Sequence, residues 1–373
     1  MTSTGQPQLL KTGRLHVLDW TRGWASLWVL LYHVSVTVEK PKYFGLEEVS
    51  AFTSAGYRGV DLFFLLSGFV MAHVYNSQIG AARMSDAVDF VVRRVCRVFP
   101  AFVAVYLALL TSGALFGIGL PEGAEVDVWF FLQNLLLIPR DDLTTFVPVV
   151  AWTLTHELMF YTLFLASFVS RRLFMGLLAS WAVLGLGAAA LEFSLPGWKM
   201  VLSPLNAYFL VGVVCHALAT RLRPGLGLTW TVAGAVLAAV AITVAVVLEG
   251  RLYDDYPPFL SAAQLPYVVG FAALTVTAAA GSWPERMPLD GAMTYLGRVS
   301  YGLYLVHYPI VVITTMLWKR VGAFPEWMSP FWPVAVVSVG LSLVAAAVLH
   351  RLVEIPGIRL GKQLALRFSG AVR

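Results

Sequence analysis

The chain has 373 residues, 58% of them apolar and only 13% charged, with a mean hydropathy of +0.75. A soluble domain carries about 25% charged residues, so these proportions exclude a water-soluble globule. The net charge of +5 reflects where Lys and Arg fall around the apolar runs, and nucleic acid is not an expected partner.

Apolar runs of roughly 20 residues, each long enough to cross a bilayer, fall at 15–38, 57–77, 98–118, 152–170, 173–191, 201–220, 229–248, 262–281, 299–318 and 332–353. They predict an all-α integral membrane protein, a polytopic bundle of about ten transmembrane helices. The bundle forms a single membrane domain over 1–373, multi-pass in the plasma (inner) membrane, with polar tails at 1–14 and 354–373. Arg93, Arg94, Arg97, Arg171, Arg172, Arg221, Arg223, Arg359, Lys362 and Arg367 gather on one side. The positive-inside rule then orients the chain N-in and C-in, with both tails cytoplasmic.

Asp19 and Arg22 interrupt the first run and no small-x-small cleavage site follows, so it reads as a retained helix, not a signal peptide. The outer loop 39–56 is acidic through Glu39, Glu47 and Glu48, and the inner loop 78–97 is basic. The longest connection, 119–151, holds the apolar piece Trp129–Ile138, too short to span and therefore re-entrant or interfacial. Cys96 and Cys215 offer neither a zinc spacing nor a disulfide framework, and no metal is expected. No internal repeat supports an inverted-repeat transporter.

Ionisable groups at bilayer depth cost about 2.5–3.5 kcal/mol each on insertion scales, so they turn inward and mark function. They are uneven here: Asp19, Arg22 and His33 in the first run, Asp61 and His73 in the second, His156 and Glu157 in the fourth, His307 in the ninth. The first, second, fourth and ninth helices therefore line something polar, whereas 173–191, 229–248 and 262–281 read as scaffold facing lipid.

Arg22 and His33 lie eleven residues apart, which returns them to one face about 16 Å apart along the axis. That face suits a reaction joining an anionic donor at one membrane surface to an acceptor at the other. His33 is the natural general base, and Arg22 is placed to steady a thioester or its oxyanion. Glu157, in Trp152–Glu157, either orients His33 or serves as base itself, and Thr153 or Thr155 can cap that helix. Asp61 belongs to the acceptor side or meets water at the interface. Ser300, Tyr304 and His307, at i, i+4 and i+7, form a stripe that fits a hydroxyl-binding face or a packing seam. Arg93, Arg94 and Arg97 suit the phosphates of coenzyme A or an anionic lipid. No Gly-rich phosphate loop, H-E-x-x-H or G-x-S-x-G element is present, which disfavours an ATPase, a zinc protease and an α/β-hydrolase.

Taken together these segments resemble the acyltransferase 3 family of membrane acyltransferases. Leu18–Gly23 (LDWTRG) is similar to that family's LDGLRG opening, and Arg22 with His33 matches its R-x10-H motif. Gly59–Phe69 (GVDLFFLLSGF) is close to GVDLFFVLSGF, and Arg94 to Pro100 resembles RxxRIYP. Trp152–Glu157 resembles WSLSVE, Leu296–Pro309 LGxxSYxLYLxHxP, and Arg351–Pro356 the closing RxxExP. His156 stands where the family has a small apolar residue, and Thr replaces Ser at 153 and 155.

The resemblance implies transfer of an acyl group, usually acetyl, from acyl-CoA to a hydroxyl of a sugar-containing acceptor. It implies essential roles for Arg22 and His33, and donor contacts at Arg94 and Arg97. No esterase-like domain is appended, so the expected protein acylates its acceptor directly or hands the group to a separate extracytoplasmic partner. A secondary transporter using the same intramembrane Asp, Arg and His groups is the alternative reading.

Overall fold

The computed structural model describes residues 12–46, 50–80, 84–121, 125–222, 227–249, 264–283, 289–322 and 328–371. Residues 1–11 of the predicted N-terminal tail, Glu47, Glu48, Arg223 and the first two positions of the eighth predicted span lie outside them. Among the described residues the elements are helices, with no strand.

In chain order the α-helices are α1 (Thr12–Glu39), α2 (Ala51–Ser54), α3 (Gly59–Val74), α4 (Met84–Phe116), α5 (Val128–Leu135) and α6 (Trp152–Phe164). There follow α7 (Ala166–Val169), α8 (Arg171–Ala190), α9 (Ala207–Arg221), α10 (Leu228–Glu249) and α11 (Gln264–Ala280). The last three are α12 (Asp290–Val321), α13 (Phe331–Leu349) and α14 (Ile355–Ala371), the last pair joined through the π-type turn His350–Glu354.

Among the described residues seven helical stretches are long and apolar enough to cross a bilayer, running 51–74, 84–116, 149–169, 171–190, 228–248, 290–321 and 331–368. α11 is apolar but shorter, α9 spans only 15 residues, and α1 carries Asp19 and Arg22.

Two boundaries move in ways that matter for the site. α4 begins at Met84, so most of the expected basic inner loop is helix, and Arg93, Arg94 and Arg97 ride on its wall. The C-terminal segment is a helix too, laid along α4. Trp129–Ile138 yields only the eight-residue α5, capped where the Asp127 carboxylate accepts from the Phe130 N–H at 2.6 Å.

The bundle centres on α1, α3 and α12. α1 packs most extensively on α12, and α3 on α9. Both crossings need glycine. A Cβ on Gly297 would sit 2.0 Å from the Asp19 carbonyl oxygen, and one on Gly23 would sit 2.4 Å from that of Met293. Gly212 and Gly68 stand in the same relation to Leu65 and Phe209, at 2.0 and 2.2 Å. Small residues let helix backbones close on each other in a membrane, where packing drives association. Gly297→Ala is therefore expected to destabilise by about 1–3 kcal/mol or more, lowering the apparent melting temperature in detergent. Gly291→Ala on the same helix, whose Cβ meets nothing within 4 Å, is the neutral control.

α8 and α10 turn large apolar side chains such as Leu184 and Val240 outward, as expected of lipid-facing scaffold. The expectation fails for 262–281. α11 buries Tyr267, Gly270, Phe271 and Thr275 against α1, α9 and α10. A helix apolar all round is as well suited to the protein interior as to lipid, and composition does not separate the two.

Candidate active site

A cavity of about 410 Å³ opens inside the bundle between α1, α3, α4, α6, α12 and α14. Five cationic side chains line it: Arg22, Arg93, Arg94, Arg97 and Lys362. A single carboxylate, Glu157, faces them. The apolar wall comes from Phe63, Phe64, Leu66 and Val70, which the inward face of α3 presents. The size falls within the range of small-molecule sites, and so does the balance of apolar wall and few convergent polar groups.

The cations are held differently. Arg93 is tied to Asp89 one turn earlier at 2.7 Å and is half-exposed at the mouth. Arg94 sits in an aromatic cage, its guanidinium 5.5 to 5.9 Å from the ring centres of Tyr75, Phe90 and Tyr161. Arg22 lies close enough to Arg97 and Glu157 for their charges to act on it. Its buried Nε has no protein acceptor among the described residues, and neither has that of Arg94. Buried donors without acceptors, on residues that line a cation-rich cavity, suit an anionic ligand. Glu157 is held from the other side: its Oε1 accepts from the Tyr161 hydroxyl and from Ser67 Oγ at 3.3 Å.

His33 and His307 lie outside this lining and form a pair of their own. His307 Nδ1 sits 2.8 Å from the Tyr304 carbonyl and 3.1 Å from that of Leu303, so Nδ1 carries the proton. Its Nε2 then accepts, and His33 Nδ1 lies 3.1 Å away. The same His33 Nδ1 is 2.9 Å from the Val29 carbonyl. Two acceptors at one nitrogen fix the His33 tautomer: Nδ1 is protonated and Nε2 keeps its lone pair. The rings of Tyr32 and Tyr308 flank His33 with centroids at 4.9 and 5.0 Å.

Tyr304 connects the two regions. Its ring lines the cavity and lies 5.6 Å from that of His307, while its hydroxyl meets Thr153 Oγ1 at 3.0 Å and the Val150 carbonyl at 3.2 Å.

The structure thus gathers Arg22, Arg93, Arg94, Arg97, Glu157, Ser300 and Tyr304 at one cavity, with His33 and His307 beside it. Three sequence expectations need correction. Glu157 does not orient His33; Val29 and His307 do. Arg22 groups with Arg97 and Glu157 at the cavity, eleven residues and about 16 Å along α1 from His33. Asp61 is not part of the cavity lining: it is fully buried in an ion pair with Arg58 at 3.1 Å.

His156, one residue before Glu157, is a strut between α6 and the turn before α9, its Nδ1 2.7 Å from Asn206 Oδ1. Neither Thr153 nor Thr155 caps α6, which continues from the 3₁₀ turn Val149–Ala151.

Several lining residues carried no signal that the sequence reading used. Tyr161 lies one helical turn beyond Glu157, a spacing that could have exposed it. Lys362 was hidden in a presumed tail. Glu354, the acid of the closing RxxExP element, does not line the cavity: buried in the π-type turn and bonded to His350 at 2.9 Å, it packs where Gly302 has no Cβ.

Fold and site together define a polytopic helical membrane protein with an internal, cation-lined ligand cavity. The chain belongs to the acyltransferase 3 family: the profile of its acyltransferase domain matches residues 15–351, and the protein is accordingly an acyltransferase, which sets aside the transporter reading. It is similar to Acyltransferase MdmB of Streptomyces mycarofaciens, at 25% identity over 93% of this chain and 92% of that protein. It is also similar to Nodulation protein 10 of Rhizobium leguminosarum bv. viciae, at 28% identity over 83% and 84%. Peptidoglycan O-acetyltransferase OatA of Listeria monocytogenes is 22% identical over 91% of this chain, which spans only 55% of that relative. No solved structure matches the chain.

Proposed function

We propose that the protein transfers an acyl group, acetyl by preference, from cytoplasmic acyl-CoA to a hydroxyl of a cell-envelope glycan, glycolipid or other sugar-containing acceptor. In this reading it sits in the plasma membrane with both termini inside, as one catalytic domain. The observation that carries it is the convergence of Arg22, Arg93, Arg94, Arg97 and Lys362 on one cavity, with the His33 Nε2 lone pair about 16 Å along α1 from Arg22. An extended pantetheine arm bridges such a distance, so phosphates held at the arginines leave the thioester at His33. The names of OatA and its relatives support a glycan acceptor.

His33 Nε2 removes the proton of the acceptor hydroxyl. The oxygen attacks the thioester carbonyl, the C–O bond forms as the C–S bond breaks, and the imidazolium returns its proton to the departing CoA thiolate. The acceptor is acylated directly or through a separate extracytoplasmic partner that receives the group. Ser300 and Tyr304 shape the passage between the two regions.

The test uses purified protein in lipid nanodiscs with radiolabelled acetyl-CoA and a panel of glycan acceptors, following CoA release and label transfer. Turnover that requires His33 is expected; absence of CoA binding with donors of every chain length would overturn the reading. Arg97→Ala is expected to raise the KM for acetyl-CoA about 10–150-fold, the value of one charge-assisted hydrogen bond. It should leave the KM for acetyl-pantetheine, which lacks the nucleotide phosphates, unchanged.

A further inference from the structure

A second cavity, of about 510 Å³, lies apart from the catalytic one, between the C-terminal end of α3, the start of α8 and the C-terminal half of α9. Its walls are mostly apolar, with Phe174 and Met175 from α8 and Val213, Val214 and Leu218 from α9. Val214 and Leu218 are also nearly half exposed on the outside of the bundle, as are Leu173 and Leu177 of α8. The cavity therefore opens sideways onto surface that only hydrocarbon covers well.

Asn76, His216 and Thr220 add polar groups, and the formal charge is one-sided. Arg171, at the first turn of α8, and Arg221, at the last turn of α9, both line it, and no carboxylate does. Neither guanidinium has an ion-pair or hydrogen-bond partner among the described residues. Two unpaired arginines at the end of an apolar, laterally open groove match one class of ligand in both halves. A phosphate takes the guanidinium forks, and an acyl chain takes the groove. Neutral lipid answers only the groove, and a free anion answers only the arginines.

We infer that this cavity is a binding site for an anionic phospholipid, its headgroup phosphate at Arg171 and Arg221 and one chain between α8 and α9. Basic pockets between membrane helices hold anionic headgroups for this reason. The site is independent of the acyl-transfer chemistry, since no residue of the catalytic cavity lines it.

The test is retention of lipid through purification, read by native mass spectrometry after extraction from bilayers of equal phosphatidylglycerol and phosphatidylcholine. Wild type is expected to retain phosphatidylglycerol over phosphatidylcholine by about 30-fold, the value of two arginine contacts. Arg171→Gln with Arg221→Gln should abolish the preference while acyl transfer persists. Val214→Trp, which fills the groove and leaves the charges, should also reduce retention. Equal retention of the two lipids by wild type would overturn the proposal. So would phosphatidylglycerol retention unchanged in either variant, or thermal stabilisation by inorganic phosphate equal to that by phosphatidylglycerol.

Discussion

His33→Ala is expected to lower acyl transfer by about 10²–10⁴-fold, the contribution of a positioned general base, with the protein still folded and still binding acyl-CoA. Donor binding survives because the cationic cavity contains Arg22 and the α4 arginines but not His33. The partner of His33 gives the sharper result. When His33 becomes an imidazolium, its Nδ1–H bond to His307 Nε2, 3.1 Å long in the resting state, becomes charge-assisted, worth about 1.5–3 kcal/mol. His307→Phe should therefore lower kcat about 10–150-fold and leave the KM for acyl-CoA unchanged. His307→Gln, whose amide oxygen accepts the same bond, should recover most of the loss. Stopped acetyl-CoA assays on the three variants decide it. Full activity in His33→Ala would end the mechanism, and failure of glutamine to rescue would reduce His307 to packing.

Much of the cationic cavity was legible in the sequence because charge inside an apolar run is a rare and costly event. Arg22 and Glu157 were visible as such, the α4 arginines as a basic cluster just outside a run, and the structure brings them to one cavity. His307 was also visible, but as part of a stripe with Ser300 and Tyr304, and its bond to His33 joins α1 to α12 across 274 positions of chain. No local spacing reports such a pair.

Helix ends were the weak point. A positive-inside reading treats an arginine as a boundary, so the start of α4 was placed at residue 98, after Arg97, when the helix in fact begins fourteen residues earlier at Met84. Arginines that line a cavity do not need to mark the water interface. The same confusion between boundary and interior hid Lys362, and the buried face of α11 was hidden by a composition equally suited to lipid.

Asp61 is the opposite case, a membrane-embedded acid read as a site residue whose ion-pair partner stood one turn earlier. The pair is 1% and 0% exposed for Arg58 and Asp61. Arg58 Nη1 also donates to Gln264 Oε1 at 2.8 Å, and Gln264 donates to the Tyr208 hydroxyl. The guanidinium lies 4.9 and 5.0 Å from the ring centres of Tyr57 and Tyr267. This one cluster ties the start of α3 to α9 and α11. Removing either charge strands the other in a medium that cannot solvate it, at a cost of about 3–5 kcal/mol. Arg58→Met and Asp61→Leu should each markedly lower the apparent melting temperature in detergent. The double variant should regain much of the loss, because replacing a buried pair with apolar groups of similar volume is often neutral or stabilising. A substrate role for Asp61 predicts another pattern: Asp61→Leu and the double variant would both be inactive while the double variant is stable. Melting curves and turnover of the folded fraction, measured on the same three proteins, separate a structural tie from a substrate contact, and the geometry of the cluster predicts the tie.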